Sequence, residues 1–322
     1  PTMGRLKNQL PPKLENGHPV LEQRAAMPDG YVAVFVAPAA RWVEAENRIG
    51  QIVENHGGDL LDDKIAHQEW EERFNLMHVK RLGPSLLPSE VVVPIENLGQ
   101  ALDEIEGTLN QPLVIEGMVN GNGEVTLLGF IPHDERSLGY NMAFGLALTV
   151  NKIAKKYGGR PYATGYYFAS EADTVLGEER VRRLKAYQQE VDAKGIMNPG
   201  KVTGNGVMGS FMGLAGTFEP IVRVMGNSFK SPTEERINGQ GKRGIPSDVA
   251  WYAYACAQCG YCVDECDQYY GRGWESESPR GKWFFLREYM EGRAEMTQDW
   301  VDNFMACTTC EVCNVKCPLE LP

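Results

Sequence analysis

The sequence predicts an α+β fold: an antiparallel or mixed sheet with helices on one face, followed by a cysteine-rich unit. Three observations carry this. Strand-like runs alternate with helical stretches, yet two of the strands are joined only by the turn Asn120-Gly121-Asn122-Gly123, too short for a crossover helix. No glycine-rich phosphate loop follows any strand, so no dinucleotide-binding sheet is expected. All 8 cysteines fall between Cys256 and Cys317, which divides the chain into two chemistries. The length of 322 residues suits about two domains.

The elements follow from local pattern. Residues 31–38 (YVAVFVAP) read as a buried strand rich in Val and aromatics. Residues 40–56 have helical spacing through Trp42, Val43, Ala45, Ile49, Ile52 and Val53, and Gly57-Gly58 end the helix. A second helix fits 64–79, with Trp70, Phe74 and Met77 on one face. Residues 91–93 form a short strand closed by Pro94, and 97–109 a helix through Leu98, Leu102, Ile105 and Leu109. Residues 113–119 and 125–131 are the paired strands. A long helix is expected over 135–157, stopped by Gly158-Gly159, and another over 177–193. Residues 207–225 carry an apolar stripe (Val207, Phe211, Leu214, Phe218, Ile221, Val222, Met225) and read as a packed connector. Residues 226–247 read as an exposed linker.

Composition narrows function. With 43 acids against 32 bases the net charge is -11, which lacks the basic footprint of a nucleic-acid binder. The longest apolar run, 143–150, is too short to span a bilayer, so no transmembrane segment is expected. No secretory signal pattern is present, and the expected location is cytoplasmic, with membrane association only through partners. The chain opens on Pro1 and stops shortly after its last cysteine, so a longer polypeptide is expected.

Cys256, Cys259, Cys262 and Cys266 read C-x2-C-x2-C-x3-C, and Cys307, Cys310, Cys313 and Cys317 repeat it, with Pro318 after the last. This is the spacing of two-cluster ferredoxins. Three thiolates two residues apart wrap one face of a cubane; the fourth, on a chain that leads away, reaches the other cluster. The expected ligands are therefore Cys256, Cys259, Cys262 and Cys317 for cluster 1, and Cys307, Cys310, Cys313 and Cys266 for cluster 2. Structural disulfides would need an oxidising compartment. Zinc takes paired C-x2-C units, and a covalent haem needs a His after C-x2-C. Asp267 stands after Cys266 where Pro is usual.

Between the two sets, residues 278–292 (SPRGKWFFLREYMEG) give a helical apolar face through Trp283, Leu286, Tyr289 and Met290. This segment resembles the mainly α-helical iron–sulfur domain of glycolate oxidase iron–sulfur subunits, anaerobic glycerol-3-phosphate dehydrogenase and heterodisulfide reductase subunits. In those families Ser-Pro-Arg-Gly is typical between the motifs, and Cys-Cys-Gly domains often follow. The resemblance implies a redox partner protein or such domains downstream.

Residues 191–202 (VDAKGIMNPGKV), 70–74 (WEERF) and 88–98 (PSEVVVPIENL) resemble the FAD-linked oxidase C-terminal, or cap, domain of the vanillyl-alcohol oxidase superfamily, which includes D-lactate dehydrogenase and glycolate oxidase. The likeness covers roughly residues 28–202. It implies a ferredoxin-like cap over the isoalloxazine of an FAD, the nucleotide being held by an FAD-binding domain upstream or on another subunit. Asn198 and Gly200 would then lie on the flavin-side loop. The implied organisation is an extension over 1–27, the cap over 28–202, connector and linker over 203–248, and the two-cluster domain over 249–322.

The metal-dependent 2-hydroxyacid branch of that superfamily carries histidines in two loops. The matching stretches here, 117–125 (GMVNGNGEV) and 161–172 (PYATGYYFASEA), contain none and offer only Glu124 and Glu171 as charged candidates, so no catalytic metal is expected in this region. Arg73 could hold a substrate carboxylate or be an arginine on a solvated face. Tyr162, Tyr166 and Tyr167 could serve a phenol-oxidising or base role with Arg160 nearby, or simply pack the sheet or the flavin. The expected function is oxidation of a small-molecule 2-hydroxy acid or related alcohol, electrons passing through FAD to two 4Fe–4S clusters. The alternatives are a dehydrogenase of a phenolic alcohol and a non-catalytic electron-transfer subunit.

Overall fold

The computed structural model describes residues 33–73, 76–165, 167–203, 206–229 and 243–321. Its sheet has four strands: β1 (Ser85–Pro94), β2 (Val114–Val119), β3 (Glu124–His133) and the two-residue β4 (Arg160–Pro161), in the order β2-β3-β1-β4. Every pairing is antiparallel, Val93 lying opposite Val125 and Val119 also opposite Val125. The β2–β3 hairpin turns at the Asn-Gly-Asn-Gly stretch, where Gly123 has φ +79°.

One face of the sheet is dry. Leu87, Val91 and Val93 from β1 and Val125, Leu127 and Ile131 from β3 alternate inward. Helices α3 (Leu98–Thr108) and α5 (Leu146–Lys156) cover them with Ala101, Ile105, Leu146, Val150 and Ile153. Helices α1 (Trp42–Asn55) and α2 (Asp63–Glu72) precede β1. Helix α1 has no buried residue.

Six expectations change. The short strand expected over 91–93 is the ten-residue β1, and Val207, Leu214, Phe218, Ile221 and Met225 of the stripe expected to pack are exposed. Residues 33–38 form no strand, and Phe35 and Val36 are exposed, because the backbone there has no strand to pair with. The helix expected over 64–79 ends at Glu72 and is followed by a 3-10 segment, Leu76–Arg81. The helix expected over 135–157 is two, α4 (Gly139–Ala143) and α5, parted at Phe144-Gly145. A Cβ at Gly145 would overlap the Val222 side chain, so a tertiary approach sets the break. The exposed linker begins later than expected. Gly226 is buried, and Asn227 donates to the Thr108 carbonyl at 2.9 Å. Residues 230–242, most of that linker, lie outside the described residues, as do 31 and 32 of the expected strand.

The chain continues through α6 (Ala172–Leu176), α7 (Glu178–Val191), α8 (Val207–Thr217) and α9 (Glu219–Ser228). Helix α9 packs on α4 and α5 around a buried acid. Glu219 accepts from Thr149 Oγ1 at 2.8 Å and from Lys152 Nζ at 2.9 Å, and Arg223 lies 3.6 Å away. Burial opposes its ionisation, but these three donors prevail and hold the carboxyl below its usual range. A depressed folded value means that the stabilisation is complete above the unfolded value near about 4.3 and fades as pH falls through the folded one. Hydrogen exchange of the α9 amides should therefore lose protection in acid earlier than that of β1 and β3, and Glu219→Gln should remove this acid dependence. Equal acid sensitivity of α9 in both proteins would refute the assignment.

The cysteine-rich unit is helical: α10 (Ser247–Ala255), α11 (Asp267–Arg272), α12 (Pro279–Met290), α13 (Gln298–Met305) and α14 (Val312–Lys316). Ser278 caps α12 through the Gly281 N–H, with Pro279 at the first position. Tyr254, Leu286 and Met290 centre one core, and Trp251, Ala255, Leu319 and Leu321 the other.

The two units touch through the turn after β3. Asp134 grips the Arg136 guanidinium with both oxygens, at 2.9 and 2.8 Å. Held so, Arg136 lies 4.7 Å from the Tyr254 ring centre and 5.9 Å from that of Trp251. Glu135 forms an ion pair with Arg287 of α12. Among the described residues, no helix is long and apolar enough to cross a membrane.

Candidate metal centre

The two cysteine loops share one backbone pattern. Gln258 and Thr309, each just before the second cysteine of its set, have φ of +56° and +54°. Gly260 and Glu311, each just after it, have φ of +91° and +61°. Three of these four are not glycine, and a left-handed residue with a side chain costs of order 1 kcal/mol or more. In the first loop this turn folds Cys256, Cys259 and Cys262 back around a common hollow. It also places donors on the sulfurs: Gln258 Nε2 lies 3.4 Å from Cys256 Sγ, and the Thr309 N–H 3.5 Å from Cys307 Sγ.

Cys256, Cys259, Cys262 and Cys317 line one cavity, together with Cys313, Arg280, Trp283 and Leu319. The first three come from the loop after α10 and the fourth from the far end of the chain. Cys307, Cys310 and Cys313 form the second loop, with Cys307 and Cys310 exposed. Cys266 opens α11 and is absent from the first cavity; its Sγ lies 3.9 Å from the Glu277 carbonyl. An ion pair at 2.9 Å between Glu265 and Lys316, the residues just before the two fourth cysteines, holds the ends of the two motifs side by side. Asp267, where Pro is usual, sits in the first turn of α11, where an acid suits the helix dipole.

All eight cysteines are free of disulfide bonds. Burial, and then neighbouring thiols, push Cys262 up to about 11, and burial likewise raises Cys256, Cys313 and Cys317. Such thiols keep their protons until a cationic centre compensates the charge. The shape of the set matters too. Among the described residues, no three His, Cys, Asp or Glu side chains converge on one point to hold a single ion. Zinc would draw four sulfurs to about 2.3 Å from one centre. A cubane spreads its irons and gives each one thiolate, so it asks for sulfurs around a hollow. The hollow between Cys256, Cys259, Cys262 and Cys317 fits such a cluster.

Arg280, within the Ser-Pro-Arg-Gly stretch, was visible in the sequence only as part of a motif. Here it walls the first cavity, its Nη1 donating to the Gln258 carbonyl at 3.2 Å while Glu275 pairs with its other side. A side chain at Gly281 would overlap the Glu275 backbone, which explains that glycine.

The other sequence candidates are dispersed. Arg73 is exposed, stacks 4.0 Å over Trp70 and donates to the Trp70 carbonyl. Tyr162 lines a shallow concavity on the sheet with Val92, Met118, Asn120, Thr126 and Arg160. Arg160 is bound there by Glu124, and Glu171 by Lys155, so both candidate carboxylates are engaged by cations. Tyr166 lies outside the described residues, and Tyr167 packs against Phe144 at 4.7 Å. Asn198, at φ +46°, and Gly200, at φ +69°, turn a loop shaped by the Asp192 carboxylate, which accepts from the Ile196 and Met197 N–H groups. Neither residue lines the concavity.

For this part of the chain the comparisons point to an iron–sulfur site. Residues 255–322 match the family of the 4Fe-4S dicluster domain. This part of the chain is an iron–sulfur electron-transfer domain similar to the glycolate oxidase iron-sulfur subunit of Escherichia coli (strain K12), 34% identical over 64 residues. That match spans 20% of this chain and 16% of the relative. No solved structure matches.

Proposed function

We propose that the chain is the iron–sulfur portion of a flavin-linked oxidoreductase that takes electrons from a 2-hydroxy acid or related alcohol. The repeated cysteine loop, with Cys256, Cys259, Cys262 and Cys317 around one cavity, carries this reading. Two 4Fe–4S clusters would supply one-electron transfer, and an FAD held mainly by another domain or subunit would supply two-electron oxidation of the alcohol. The chain's own residues do the rest. The eight cysteines hold the iron, with cluster 2 on Cys307, Cys310, Cys313 and Cys266. Trp283 and Leu319 give the first cavity apolar walls, and Arg280 supplies a cation and fixes the loop through Gln258. On the sheet, Val92, Met118 and Tyr162 give the concavity an apolar side against which a flavin ring would lie, beside the polar Asn120, Thr126 and Arg160. In this reading Tyr162 would hold the substrate hydroxyl, or a phenolic alcohol, with Arg160 beside it held by Glu124.

A second reading is favoured by one observation: Arg73, Glu124 and Glu171 are all tied to neighbours rather than aimed at a shared site. It is a non-catalytic electron-transfer subunit whose sheet unit serves as a docking scaffold. Anaerobic iron and sulfide analysis should return about eight irons per chain; about four, or zinc in their place, would end the cluster reading. Glycolate, D-lactate and a phenolic alcohol are then added to the protein purified with its flavoprotein partner. Bleaching of the clusters by one of them supports the dehydrogenase; bleaching only by a reduced partner protein supports the scaffold.

A further inference from the structure

The 3-10 segment Leu76–Arg81 belongs to the sheet unit, yet it lies against the first cysteine loop. Met77 packs on the apolar group of Trp251, Ala255, Leu319 and Leu321 that also receives Cys256 and Cys317. One residue on, His78 Nε2 stands 3.9 Å from Glu320 Oε1, three residues past Cys317. Lys80 follows on the same turn, half-buried. Other cations gather at this junction: Arg280 walls the cavity, Arg287 pairs with Glu135, and Arg136 faces Trp251 and Tyr254. Burial lowers the Lys80 pKa; the nearby charges of Glu135 and then Cys256 raise it, and Arg287 lowers it. Residues three apart share a face in a 3-10 helix, so Lys80 stands on the side of Met77, which packs beside Cys256 and Cys317.

We propose that Lys80 is a positioning charge for cluster 1, a fixed cation that the sheet unit lends to the site of Cys256, Cys259, Cys262 and Cys317. The inference rests on the iron–sulfur reading. Each electron accepted at that site adds one negative charge and makes or breaks no bond, so a cation held nearby favours the reduced form. Half-burial keeps the effect from being fully screened. The second loop, with Cys307 and Cys310 exposed, lies on different elements. The charge therefore raises the potential of cluster 1 and leaves that of cluster 2 unmoved.

The test is a dithionite redox titration of the anaerobically purified, iron-loaded chain, followed by electron paramagnetic resonance. The Cys256→Ser variant identifies the cluster 1 signal. Lys80→Met should shift the reduction equilibrium of cluster 1 about tenfold toward the oxidised form, about 59 mV for one electron, with cluster 2 unmoved. Lys80→Arg, which keeps the charge, should restore it. If the Met variant fails to load iron, Lys80→Gln is titrated in its place. Unchanged potentials, or equal shifts in both clusters, would overturn the proposal. Absence of iron from the unaltered chain would instead reject the cluster reading beneath it.

Discussion

Replacing Cys266 by Ser should lower the iron content from about eight to about four per chain, and the cluster lost should be the one that Cys307, Cys310 and Cys313 hold. The argument is geometric. Cys266 follows the first loop in sequence but does not line the first cavity, where Cys317 and Cys313 from the second motif join Cys256, Cys259 and Cys262. Helix α11 carries the chain away immediately after Cys266. The Glu265–Lys316 pair sets the two fourth cysteines beside each other, as an exchange of ligands between loops requires. A serine hydroxyl ionises far less readily than a thiol, so the iron it faces is left to water, and the exposure of Cys307 and Cys310 speeds the loss. Cys256→Ser should remove the other cluster. If both variants lose the same spectroscopic signal, the crossed assignment is wrong.

Phe285→Ala should destabilise the cysteine-rich unit by about 3–5 kcal/mol, the usual cost of emptying a large aromatic site in a core. Phe285 is 2% exposed, and its ring stacks on Trp300 at 3.6 Å between centroids, with Phe304 next at 6.1 Å. That stack holds α13 to α12, and α13 delivers the chain to Cys307. The damage should therefore reach the second cluster first. Denaturant unfolding of the iron-loaded chain, read together with iron retained, measures it. Phe285→Leu should recover most of the loss, and an unchanged unfolding midpoint in Phe285→Ala would show that the stack contributes little.

What was legible in the sequence was whatever is encoded locally. The eight thiols are named by spacing alone, because a cubane imposes its dimensions on a short loop. The β2–β3 hairpin is written in Asn120 to Gly123, and the apolar face of α12 in Trp283, Leu286, Tyr289 and Met290. What was not legible depends on partners distant in the chain. The break at Gly145 comes from Val222, far along the sequence. Residues 33–38 have the composition of a strand, but pairing needs a neighbour as well as propensity. No pattern announced that Met77 and Arg136 would meet the cysteine-rich unit, since Met77 reads as part of a helix face and Arg136 as a lone charge.

The Asp134–Arg136 turn constrains what can be transplanted. Its guanidinium is shaped by an acid from one unit and faced by two rings of the other. A chimera that moved only the cysteine-rich unit onto a foreign sheet would bare Trp251 and Tyr254 and leave Arg287 without Glu135. The two halves are separable as text and interlocked as matter, so exchanging either one means carrying its counterpart's contact residues along with it.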